Sequence, residues 1–167
     1  MTLLRKKQLS TITVKEICEL ADINRSTFYA HYADQYDLLT QIEDEIIEDM
    51  NTYLTTYRFE HEAEAIKMTE KLLEYFASKL DECKTLLSEH SESSFQQKVM
   101  KVTQRFILKN WINMYELDDA VSEYLSSFIV SGGIQAIKMW MYNDMDKSPK
   151  EMAELINKFV HKGLSNM

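Results

Sequence analysis

Apolar residues recur at three- and four-residue spacing through most of the chain, and they nowhere alternate as a half-buried strand would. Between residues 34 and 58, Leu38, Leu39, Ile42, Ile46, Ile47, Met50 and Leu54 share one helix face, behind an Asp34 placed to cap it. Amphipathic stretches follow at about 62–80, 81–90 and 95–114, the last two parted by polar Ser91-Glu92-Ser93-Ser94. A long helix from about Asp118 to Tyr142 carries Val121, Leu125, Phe128, Ile129, Ala136, Ile137 and Trp140. Ser148-Pro149-Lys150-Glu151 then joins an N-cap, a proline at the first helical position and a capping-box glutamate. The helix it starts sets Met152, Leu155, Ile156, Phe159 and Val160 opposite Glu151, Glu154, Lys158 and Lys162.

The first forty residues are cut shorter. Leu3-Leu4-Arg5-Lys6-Lys7 reads as the last turn of a helix. Thr13 and Glu16 have capping-box spacing and open a helix bearing Val14, Ile17, Cys18, Leu20 and Ala21. It stops near Asp22-Ile23, and Asn24 is suited to cap a second short helix. Two short helices a few residues apart form the helix-turn-helix pattern. The expectation is an all-α chain, with a helix-turn-helix domain over 1–40 and a helical domain over 41–167, whose ligand-binding and dimerisation roles are what the family resemblance given below implies.

Composition supports this reading, since three Gly and one Pro in 167 residues leave little to break helices. Cys18 and Cys83 have neither metal spacing nor a disulfide framework around them; Cys18 reads as a small core residue and Cys83 as a helix-surface thiol. His61, His90 and His161 lack partners at ligand spacing and read as surface groups, so no metal and no cofactor is expected. There is no signal peptide or membrane-length apolar run, which makes a cytoplasmic location the default and a membrane partner unexpected. No nucleophile–base pair, paired carboxylates or glycine-rich phosphate loop is visible, so an enzyme is the least expected class.

The net charge of −8 is unevenly spread. Residues 1–40 hold five basic and five acidic groups, while the remainder holds 14 basic and 22 acidic ones. A near-neutral head on an acidic body can approach DNA if the body faces away from the phosphates.

The segment from Ile12 to Leu39, and within it Thr27-Phe28-Tyr29-Ala30-His31-Tyr32 followed by Asp37-Leu38-Leu39, resembles the DNA-binding signature of the TetR/AcrR family of transcriptional regulators. The tail from Phe128 to Gly163 is similar to the family's C-terminal dimerisation region. The resemblance implies double-stranded operator DNA as partner, with Arg25 and Ser26 in the first turn of the recognition helix, where arginine can donate bidentately to guanine. It sets Lys15 beside them and Thr13, Thr27, Tyr29 and His31 near the backbone, with Phe28 and Tyr32 locking the helix to the bundle. Gln35 stands where the family usually carries a phosphate-pairing lysine. The bland reading is that Asn24 and Thr13 serve as caps, and that Tyr29 and His31 cover a helix junction.

The family also has a helix ahead of Leu3-Leu4 that covers the apolar sides of the next two. With the chain starting at Met1, Ile12, Ile17, Leu20 and Phe28 are expected to lose part of their burial, at roughly 1.5–3 kcal/mol per fully re-exposed large side chain.

In the body, the resemblance implies a homodimer through the last two long helices, with Phe128, Ile129, Ile137, Trp140, Leu155, Ile156, Phe159 and Val160 at the interface. Gly132-Gly133 permits close helix approach, slightly favoured here, or a kink. Met68, Tyr75, Phe76, Met100, Phe106 and Trp111 are the expected lining of a small-molecule effector pocket; ordinary core is the alternative. The leading function is a repressor released by its effector. The alternative is a dimeric effector-binding or interaction module that has lost operator binding with its first helix.

Overall fold

The computed structural model describes residues 1–56, 62–88, 94–115 and 118–164, with backbone alone for 62, 110–115 and 161–164. Among these residues there are helices and turns but no strand. Two short helices, α1 (Val14–Ala21) and α2 (Arg25–Tyr29), precede α3 (Gln35–Thr56), α4 (Glu62–Ser78), α5 (Leu80–Leu86), α6 (Phe95–Tyr115), α7 (Asp119–Tyr142) and α8 (Pro149–Leu164). The expected boundary after residue 40 falls inside α3, which runs unbroken from the head into the body.

Local caps set most of these limits. Thr13 and Glu16 form the full capping box on α1. Asn24 caps α2, Asp34 accepts from the Tyr36 and Asp37 amides at the start of α3, and Ser148 and Glu151 bond reciprocally at α8. The start of the chain is a turn rather than an established helix, with the Arg5 amide bonded to the Met1 carbonyl and Lys7 to Leu3. A 3-10 turn at Leu9–Thr11, not foreseen from the pattern, leads into Thr13.

In the body, α4 lies along α8 and α6 along α7, while α3 packs on α4 and α6. Leu73, Met50, Phe95 and Met141 form the driest part of the core. Cys18 is buried as expected, but Cys83 is a correction: it is fully buried rather than on a helix surface. Because α5 is clamped between α4 and α7, Cys83 on its inner face is sealed from solvent, and burial pushes the thiol up to about 12. Glu43 of α3 is the unforeseen charge, only 2% exposed, where the Ser94 hydroxyl donates to it at 2.7 Å and Lys98 of α6 pairs with it at 3.0 Å. His61 and His90 and the side chain of His161 lie outside the described residues.

Candidate nucleic-acid interface and the cavity behind it

The turn between α1 and α2 is built around Asp22, which takes the left-handed conformation (φ 54°) that Asp tolerates better than most side chains. The Ile23 amide then donates back to the Cys18 carbonyl at 3.0 Å, closing α1. Asn24 follows at once. Its Oδ1 accepts from the Thr27 amide (2.8 Å), the Ser26 hydroxyl (2.6 Å) and the Thr27 hydroxyl (3.0 Å). Both hydroxyl protons therefore serve the cap, and the oxygen lone pairs of Ser26 and Thr27 remain open.

Phe28 fixes this short helix to the bundle. It is 1% exposed, with Tyr29 edge-on at 5.5 Å and Tyr32 tilted at 5.4 Å between ring centroids. With that anchor inside, Arg25, Ser26, Thr27, Tyr29 and His31 are all exposed, as are Thr13 and Lys15 on the α1 side. Gln35 differs. It is half-buried at the start of α3, at the edge of an apolar hollow of about 200 Å³ that also meets Met1, Ile17, Leu20 and Leu38.

The cations of the head are not equivalent. Arg5 reaches the body through Asp81 at 3.1 Å, Lys7 pairs with Glu16 at 2.6 Å, and Lys15 lies 3.6 Å from Glu19. Arg25 has no ion-pair partner among the described residues. Hydrogen bonding by Lys7, then by the Thr13 amide and hydroxyl, holds Glu16 down to about 2, so the α1 cap carries a firm negative charge.

The expected exposure of apolar head residues is only partly found. Leu20 is 59% exposed and Ile17 half-buried, but Ile12 and Phe28 are buried, contrary to expectation. Ile12 shares its core with Leu4, Leu9 and Leu39, so the unforeseen 3-10 turn contributes the cover.

Behind the head, α3, α4, α6, α7 and α8 enclose a cavity of about 120 Å³. Of the expected lining, Met68, Phe76 and Phe106 border it. Tyr75 and Met100 do not: the Tyr75 hydroxyl turns away to donate to Asp49 at 2.8 Å, its ring 5.4 Å from Tyr53, and Met100 packs elsewhere against the core. The Trp111 side chain lies outside the described residues. The pattern of apolar positions missed Asn157 and Thr69, which face each other across the cavity wall. A signal was available, since Asn157 follows Ala153 and precedes Val160 on the inner stripe of α8.

The outer face of α7 and α8 forms a second, open apolar hollow of about 400 Å³. Phe128 and Phe159 stand on it at 77% and 74% exposed, and Ile129, Ile156 and Val160 form its floor. Leu155 is also exposed, at 39%. Two expected interface residues are otherwise placed. Trp140 is corrected to the chain's own core: it is 3% exposed and its Nε1 donates to the Lys147 carbonyl at 2.8 Å. Ile137 is half-buried and borders the inner cavity. The two glycines bring no helix close within the chain, because a Cβ at Gly132 or Gly133 would meet nothing within 4 Å. On α7 the usual polarity is inverted, with Ser122 and Ser126 buried while Tyr124 and Phe128 face out.

Residues 63–162 match a family model described as a TetR transcriptional regulator C-terminal region. No curated protein sequence matches the chain. Solved structures share its fold, among them the following three. A TetR-family transcriptional regulator from Syntrophomonas wolfei superposes with a TM-score of 0.69 at 16% identity, covering 93% of this chain and 86% of that one. The fatty acid degradation regulator FadR from Bacillus halodurans gives 0.62 at 11% identity, with 93% and 87% covered. The TetR family repressor AlkX from Dietzia sp. strain DQ12-45-1b, implicated in biodegradation of n-alkanes, gives 0.53 at 14%, with 99% and 93% covered.

Proposed function

We propose, since this chain belongs to the TetR family of transcriptional regulators, that it is a homodimeric repressor whose heads bind double-stranded operator DNA until a small molecule fills the body. DNA-binding regulation follows from the family. The observation that carries the finer reading is Arg25, exposed in the first turn of α2 and without an ion-pair partner among the described residues. A guanidinium there is free to donate to a guanine edge. Lys15 lies on the neighbouring helix, and the hydroxyls of Thr13, Ser26, Thr27 and Tyr29, with His31, supply backbone contacts around it. Gln35 offers an uncharged contact at the rim.

Self-association draws support from α7 and α8. Burying serines while exposing Phe128 makes sense if a second copy covers the outward face. Effector control draws support from the inner cavity, whose walls come from α3 and four helices packed around it. Two neighbours are named for fatty acid degradation and as implicated in biodegradation of n-alkanes. An apolar effector suits the apolar lining of this chain's cavity.

A mobility-shift titration with the DNA flanking the chain's own gene tests the reading. A retarded complex that excess random DNA fails to compete away supports it. The absence of any specific complex would leave an effector-binding dimer and overturn the operator assignment.

A further inference from the structure

Among the described residues, no ionisable side chain lines the inner cavity. Its described lining is aliphatic, aromatic and methionine residues and Gly133, with Thr69, Thr103 and Asn157 as the polar members. Asn157 is 5% exposed, and its amide orientation is fixed by chemistry. Nδ2 lies 2.8 Å from the Ala153 carbonyl, which only accepts, so that end must be the N–H₂. Nδ2 also donates to Thr69 Oγ1 at 3.1 Å, and the Thr69 hydroxyl passes its own proton to the Ala65 carbonyl at 2.9 Å. Every donor in this relay is spent. Among the described residues no donor serves Asn157 Oδ1, so the relay ends in an acceptor that a small molecule can reach. Thr103 supplies the remaining hydroxyl, which can act in either sense.

We infer that this cavity takes a neutral, ring-sized apolar molecule bearing one hydroxyl or N–H group, which donates to Asn157 Oδ1. Size follows from the volume of about 120 Å³, comparable with the roughly 150 Å³ apolar cavity that accepts benzene. Neutrality follows because a carboxylate here would meet no cation among the described residues and would set an acceptor against an acceptor. The hydrogen bond supplies direction: the ligand's polar end meets α8 and its body lies toward Phe76 and Phe106. This ligand class belongs to the site of the effector control proposed above and rests on that reading for its biological use.

Calorimetry on the full chain at neutral pH, with benzyl alcohol, toluene and benzoate as probes, measures the ligand class apart from DNA release. Benzyl alcohol binds, and benzoate binds at least about tenfold more weakly. In Asn157→Leu the ratio of benzyl alcohol to toluene affinity falls about tenfold, the loss of one hydrogen bond. If that variant does not fold, the Asn157 side-chain amide of the wild type reports by NMR: benzyl alcohol moves it and toluene at equal occupancy does not. Benzoate binding as tightly as benzyl alcohol, an unchanged ratio in Asn157→Leu, equal amide movement with both neutral probes, or no binding of any probe overturns the inference. Binding of benzyl alcohol that leaves DNA affinity unchanged supports the ligand class and overturns the effector reading instead.

Discussion

Glu43 of α3 and Lys98 of α6 meet at 3.0 Å, with the glutamate side chain 3% exposed. Lys98 also touches Asp44 at 2.6 Å, and the Ser94 hydroxyl donates to the same Glu43 oxygen, Oε2, that Lys98 meets. Burial alone would lower Lys98, but its hydrogen bonds to Asp44 and Glu43 more than offset this and raise it. Helix α3, which runs from the head into the body, is thereby tied to α6.

Removing the cation should expose that dependence. Lys98→Met leaves a buried carboxylate with a single hydroxyl donor and should cost about 3 kcal/mol of stability. Adding Glu43→Leu to it should restore most of the loss, since a well-packed apolar pair often replaces a buried ion pair without penalty. Denaturant midpoints of the wild type, single and double variants check this, and an unchanged midpoint in Lys98→Met contradicts it.

The head should be acid-sensitive through its α1 cap. Glu16 is held near 2 against an ordinary 4.5, so its contribution is fully present above pH 4.5 and is lost as pH falls toward 2. Asp37, held down by the Ala33 amide and Gln41, and Glu151, held down by Ser148, act in the same direction. In Glu16→Gln the loss of stability between pH 5 and 2 should be shallower than in the wild type, though not abolished. Circular dichroism across that range decides it; superimposable acid transitions would contradict the assignment.

Phe159→Glu should separate the dimer without unfolding the chain. The side chain is 74% exposed, so the substitution should change the stability of one copy by no more than about 0.5 kcal/mol. At a two-fold interface it would bury an unpaired charge. Sedimentation should show dimers for the wild type and monomers for the variant at micromolar concentration. Dimers in both place the interface elsewhere.

What was legible in the sequence was mainly local. The caps at Thr13, Asn24, Asp34 and Ser148 depend on side chains two or three residues from the amides they satisfy, so their spacing shows them directly. The site residues were harder because several helices are apolar on two sides. On α7 both Trp140 and Phe128 belong to apolar stripes, and periodicity cannot say that one faces α7's own bundle and the other faces out. That choice is made by how α7 lies on α6, and two buried serines assist it by letting the helices approach. Cys83 and Glu43 were misjudged or unseen for a related reason, since their burial depends on what packs over them: α4 and α7 for Cys83, and Ser94, 51 residues away, for Glu43. Asn157 is a polar interruption of the apolar stripe on α8, and its role depends on Thr69 of α4, 88 residues away.

Arg25 gives the most direct test of DNA reading by α2. Fluorescence anisotropy at one fixed salt concentration, on the operator fragment and on random DNA of equal length, should show specific binding by the wild type. Arg25→Ala should lose about 1–3 kcal/mol on the operator and much less on random DNA, because a base contact is removed rather than a phosphate contact. Equal losses on both DNAs, or no loss on either, would contradict the assignment of Arg25 as the residue that reads the operator.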